Sequence, residues 1–141
     1  MENAFKFERL EVWSLSLDYI DLCYALAEQL PKQEKYNLND QLVRAATSIA
    51  LNIAEGSTSQ SDPEQARFLG LALRSFIETV ACRRLVERTH HGRALQDLLS
   101  SSEELGQKLF AKLQAMRHAL VNQDETRLAV HRPRSAVIAR R

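Results

Sequence analysis

Glycine and proline are scarce in this sequence of 141 residues, with four glycines and three prolines. So few turn residues argue against a sheet protein with many tight connections and in favour of long helices. There is no apolar run near the roughly 20 residues needed to cross a bilayer. The opening MENAFKFERL lacks the apolar core of a secretory signal, so the expected compartment is the cytoplasm. The two cysteines, Cys23 and Cys82, lie far apart inside apolar helical patterns, and the expectation is that both are reduced packing residues. No glycine-rich phosphate loop is present, no nucleophile stands beside a base, and Glu103 and Glu104 are neighbours that diverge on a helix. The expectation is a protein without a catalytic residue and without a cofactor. His90 and His91 point about 100° apart on a helix, and no other His or Cys has ligand spacing to them, so no metal site is expected.

What is present is ordinary globular composition, with 45% hydrophobic and 26% charged residues, arranged in helical periods. From Glu8 to Leu30, the residues Leu10, Trp13, Leu17, Ile20, Tyr24 and Ala27 follow one another at spacings of three and four. Val12, Leu15, Leu22 and Leu26 widen that stripe beyond what one helix of an isolated bundle needs. Pro31 is the stop signal. The second helix, Leu38–Ser57, starts at a cap supplied by Asn37 or Asn39 and ends at Gly56 in a left-handed position. Leu42, Ala45, Ala46, Ile49 and Ile53 share its apolar face. A third helix begins at the capping-box spacing Ser61-Asp62-Pro63-Glu64 and runs to about His90. A fourth spans about Arg93 to Asn122, with local weakening expected at Ser100–Ser102 and Gly106.

These readings give an all-α chain. Short connections favour an antiparallel up-down-up-down four-helix bundle over residues 1–122, followed by a basic, flexible tail over 123–141. Five arginines and no acid lie between Thr126 and Arg141, which leaves 14 basic and 18 acidic residues in the remainder.

Two sets of side chains are candidates for function. Gln41, Arg44, Ser48, Asn52 and Glu55 form a ladder on the polar face of the second helix, and Ser75 and Glu78 on the third can complete it. The favoured reading is a structural polar seam between helices or subunits, in preference to a ligand site. Arg44 and Glu55 are too far apart along one helix to pair, so a partner for Arg44 is expected on another helix. The second set is Arg67, Arg74, Arg84 and Arg88 on one flank of the third helix, with Arg127, Arg132 and Arg134 in the tail. These suit contact with a nucleic-acid backbone. The competing reading is a solvated face of intrahelical ion pairs with Glu78 and Glu87.

Taken together, FERLEVW at Phe7–Trp13, Leu30-Pro31, EKYNL at Glu34–Leu38, Gln41, RAA at Arg44–Ala46, Ser48-Ile49, NIAEG at Asn52–Gly56, Phe68-Leu69, Ala72, Ser75 and Glu78 form a pattern. It resembles that of the 23S ribosomal RNA intervening-sequence proteins over roughly Phe5 to Leu120. The resemblance implies a four-helix bundle assembled as a ring-shaped homopentamer, without an enzymatic activity. It also implies kinship with accessory proteins of diversity-generating retroelements, which bind a reverse transcriptase and nucleic acid. The expected partners are therefore further copies of the chain, RNA or DNA, and a protein such as a polymerase, with no membrane. The tail lies outside the resemblance.

Overall fold

The structure is a computed structural model and describes residues 5–131. Four long helices account for most of it: α1 (Glu11–Glu28), α2 (Asp40–Ser57), α3 (Asp62–Thr89) and α4 (Arg93–Val130). No strand occurs among the described residues. α1 packs on α2 and α4, and α3 packs on the same two helices, so the four surround one core. No helix among the described residues is long and apolar enough to cross a membrane.

The chain enters through a 3-10 helix, Lys6–Arg9, so α1 starts at Glu11 and not at Glu8. The Phe7 ring meets the edge of Trp13 at 4.6 Å and closes this entry. α1 buries Val12, Leu15, Ser16, Tyr19, Cys23, Leu26 and Ala27. That face lies roughly 100° around the helix from the stripe Leu10–Trp13–Leu17–Ile20–Tyr24. Leu17 and Tyr24 are 41% and 44% exposed, whereas Leu10, Trp13 and Ile20 are half-buried against the core and Ala27, the last member of the stripe, is buried. Cys23 and Cys82 are free and buried.

The α1–α2 connection holds a 3-10 helix, Lys32–Glu34, and a π-helical turn, Lys35–Asn39, that feeds directly into α2. With no break before α2, neither Asn37 nor Asn39 acts as the expected cap. Asn39 Nδ2 instead donates to the Ala27 carbonyl at 2.9 Å, which ties the start of α2 to the end of α1. Gly56 is also not a left-handed terminus. It lies buried within α2, and a Cβ there would stand 2.9 Å from Phe68 Cβ, so glycine serves close helix contact. The one positive φ among the described residues belongs to Gly92, which separates α3 from α4.

The α3 start is as the spacing predicts. Ser61 Oγ accepts from the Glu64 amide at 3.3 Å, with proline in the first turn. α4 passes Ser100–Ser102 and Gly106 without a break. Ser102 Oγ donates to the Leu99 carbonyl, and Gly106 is where two rings close in. A Cβ there would lie 3.0 Å from Tyr19 and 3.2 Å from Phe76. α4 also continues past Asn122 to Val130, into the stretch expected to be tail. Thr126 Oγ1 bonds back to the Asn122 carbonyl, and Arg127 reaches Asp62 in the first turn of α3 at 3.4 Å. The rest of the expected tail, residues 132–141, lies outside the described residues.

Candidate functional site

Four gatherings of polar groups bear on function. The first is inside the bundle. Arg83 shares a face of α3 with Phe76, Thr79 and Val86, and its side chain is 2% exposed. Its Nε donates to the Tyr19 hydroxyl at 3.1 Å and its Nη1 to Glu103 Oε2 at 2.7 Å. Thr79 Oγ1 gives its proton to the Phe76 carbonyl at 2.6 Å. Tyr19 must therefore be the donor in the 2.7 Å bond between the two hydroxyls. Arg84 grips the same carboxylate from the outside, Nη1 to Oε2 at 2.9 Å and Nη2 to Oε1 at 3.0 Å. The hydrogen bonds from Arg84 and then Arg83 draw the Glu103 carboxyl down to about 2, against an opposing effect of burial. Burial pushes the Tyr19 phenol and the Cys23 thiol each up to about 12, and it also raises Cys82. Tyr19 and Cys23 are thus neutral at ordinary pH, and the cluster works as a lock across α1, α3 and α4. In the sequence Glu103 stood out only as the neighbour of Glu104, and nothing marked Tyr19 or Arg83. The available signal was the helical register of Arg83 with Phe76, Thr79 and Val86.

The second place is the ladder on α2. Ser48 Oγ and Ser75 Oγ are 2.8 Å apart across the α2–α3 contact. Asn52 Nδ2 donates to the Ser48 carbonyl at 2.9 Å and to Ser48 Oγ at 3.1 Å. Gln41, Arg44, Ser48 and Glu78 line one groove, and Arg44, Ser48, Asn52 and Glu55 line the next with Thr47 and Leu51. The structure thus brings together the residues proposed for the seam, but Arg44 pairs within its own helix. Its partner is Asp40, one turn back at 3.5 Å, and not a carboxylate from another helix. Both groups are exposed, so this pair contributes little.

The third place is the arginine flank of α3. Arg84 is occupied by Glu103, and Glu87 lies 3.7 Å away. Arg67 lies over the Phe68 ring at 4.6 Å. Arg74 and Arg88 are exposed, and neither forms an ion pair with a described residue. Arg127 is paired with Asp62, and Arg132 and Arg134 lie outside the described residues.

The fourth place is the end of the bundle where the α1–α2 and α3–α4 connections meet. Glu34 Oε2 accepts from the Leu38 amide at 3.4 Å and from Asn37 Nδ2 at 3.2 Å, and Gln41 Nε2 donates to Asn37 Oδ1 at 2.9 Å. His90 Nε2 lies 3.8 Å from Glu34 Oε1. The turn presents Tyr36 almost wholly to solvent, at 87% exposure, with Lys35 Nζ 5.4 Å from the ring centroid. Tyr36 entered the sequence pattern only as part of EKYNL. No group of three or more His, Cys, Asp or Glu side chains able to hold a metal occurs among the described residues.

Comparison with known proteins places this architecture. The family described as 23S rRNA-intervening sequence protein matches residues 8–111. A crystal structure of a protein of unknown function from the S23 ribosomal protein family of Bacteroides thetaiotaomicron is similar, with 25% identity and a TM-score of 0.59. The likeness covers 72% of this chain and 97% of that one. No match was found among curated proteins.

Proposed function

The chain belongs to the 23S rRNA-intervening sequence protein family, and from that premise we propose that it is a non-enzymatic nucleic-acid-binding subunit of a ring-shaped homopentamer. The subunit is an up-down-up-down bundle. Pairings that run in opposite senses support this topology: Ala27 with Asn39, Tyr24 with Thr47, Ser48 with Ser75, Gly56 with Phe68, Arg83 with Glu103, and Asp62 with Arg127. The ring forms through the exposed Leu17 and Tyr24 of α1 and the neighbouring Leu51 of α2, 55% exposed. Exposed apolar side chains of this kind gain by burial against a second copy.

Cations left without carboxylate partners carry the nucleic-acid reading. Arg67, Arg74 and Arg88 project from α3 with no ion pair to a described residue, whereas Arg84 and Arg127 are held by carboxylates. Repetition around a ring multiplies weak contacts. Light scattering on the purified chain tests the assembly: a pentamer at micromolar concentration supports it and a monomer contradicts it. Anisotropy titrations with labelled RNA and duplex DNA over a salt series test the binding, which weakens steeply with salt if phosphates are the target.

A second reading is a scaffold for a protein partner, such as a polymerase. The observation that favours it is the pair Ile77 and Leu85, 52% and 53% exposed on α3 among the arginines. It predicts capture of a protein without salt-dependent RNA binding.

A further inference from the structure

We propose that the end of the bundle formed by the α1–α2 and α3–α4 connections is a binding site for single-stranded nucleic acid. In this site Tyr36 stacks on an unpaired base, and Lys32, Lys35, Arg88 and Arg93 meet the flanking phosphates. The inference rests on the nucleic-acid reading above and assigns it a place and a preferred strand form.

Tyr36 is the most exposed large apolar side chain among the described residues. A base stacked on such a ring would bury it and gain the stabilisation that water denies it. The ring stands on a firmly held turn. Glu34 is bonded to Leu38 and Asn37, Gln41 to Asn37, and Asn39 to the end of α1, while Leu38 is buried beneath. The segment is a π-helical turn, a form that recurs at functional sites. A platform already fixed in place loses little freedom when a base settles on it.

Positive charge adjoins the ring. Lys35 lies beside it, and the approach of His90 to Glu34 at 3.8 Å brings the α3–α4 connection alongside. Lys32, Lys35, Arg88 and Arg93 are exposed and form no ion pair with a described residue. The nearby acids are largely committed: Glu34 holds the turn, Asp40 faces Arg44, and Glu87 faces Arg84. Glu28 and Asp97 remain and Glu34 keeps its charge, so three acids stand against the four cations at this end. An isolated exposed ring amid free cations fits a nucleic-acid strand better than a protein surface, which would ask for more apolar area. The contacts are to a base face and to phosphates, so the site selects unpaired over paired strands and reads no sequence.

The test uses the full chain and compares a labelled unstructured single-stranded RNA with the duplex of the same sequence. Wild type binds the single strand more tightly. Tyr36→Ala weakens single-strand binding by about tenfold and leaves duplex binding unchanged, and Tyr36→Phe keeps wild-type affinity. Lys32→Ala combined with Arg93→Ala lowers the salt slope for the single strand. An unchanged melting temperature in each variant shows that the fold is intact. Wild-type affinity in Tyr36→Ala overturns this site while leaving the proposed nucleic-acid binding in place. Absence of binding to either probe by the wild type overturns both.

Discussion

Helix α3 carries two kinds of arginine, and the contrast between them separates structure from availability. Arg83 and Arg84 are neighbours in sequence and converge on one carboxylate, Glu103, from the inside and the outside of the bundle. Arg67, Arg74 and Arg88 lie on the same helix and have no such partner among the described residues. A buried guanidinium must be paired because leaving its charge unmatched in the interior costs several kcal/mol, roughly 3–5 when one partner is removed. A solvated one carries no such requirement. Charge in the interior therefore fixes how the helices meet, and charge on the flank is free to meet a phosphate. In sequence the register of Arg83 with Phe76, Thr79 and Val86 sets it apart, whereas Arg84 is divided from Arg67, Arg74 and Arg88 only by the location of Glu103.

Substitutions can break that division, beginning with the largest effect. Arg83→Met keeps the side-chain volume but removes the donor to Tyr19 and one donor to Glu103. Urea unfolding should show a loss of about 3 kcal/mol. Glu103→Gln leaves the buried Arg83 without its counter-charge, so it should cost about as much as Arg83→Met near neutral pH, roughly 3 kcal/mol. Ala46→Leu and Gly106→Val test the close packing of the bundle, since Ala46 is wholly buried and Gly106 abuts Tyr19 and Phe76. Each should cost about 1–3 kcal/mol through overpacking, and an unchanged thermal midpoint would show that these contacts are loose.

The sharper signature of Glu103→Gln is in acid. The folded carboxyl lies near 2 and its ordinary value is 4.5. The stabilisation is therefore fully present above that ordinary value and fades as pH falls through about 2. Wild type should lose stability over that window more steeply than Glu103→Gln, and parallel acid profiles would show that Glu103 is not held as described. The smallest effect on folding belongs to Arg74→Ala, within about 0.5 kcal/mol of wild type, because its side chain supports nothing inside the bundle.

Much of the fold was legible in the sequence. The Ser61 cap and the apolar face of α2 follow from spacing alone. Register within α1 was harder to read, because two apolar stripes share that helix. Of the regular stripe Leu10–Trp13–Leu17–Ile20–Tyr24–Ala27, Ala27 is buried, Leu10, Trp13 and Ile20 are half-buried, and Leu17 and Tyr24 face out, and periodicity cannot tell a core face from a face kept for another surface. Gly56 shows a similar limit. A glycine at a helix end suggests a left-handed terminus, but the closeness of Phe68 is a tertiary fact. Gln123–Val130 stays helical without apolar periodicity, helped by Arg127 at Asp62, a contact sixty-five residues apart in sequence. In the candidate sites, the polar ladder on α2 was visible as a pattern, but the Asp40 partner of Arg44 was overlooked although it lies one turn away on the same helix. Tyr36 was hidden for a plainer reason. A tyrosine in a polar connection looks unremarkable until its exposure is known.

The unpaired arginines of α3 are proposed to bind nucleic-acid phosphates, while Arg83 and Arg84 hold the bundle together. The most direct test is the salt dependence of RNA binding by the full chain, compared with a variant carrying Arg67→Ala, Arg74→Ala and Arg88→Ala. The account predicts steep weakening with salt for the wild type. In the variant the logarithmic slope should be shallower by about 0.7 for each lost phosphate contact on a single strand, with unfolding stability unchanged. Equal slopes for the two proteins, or RNA binding indifferent to salt, would contradict it.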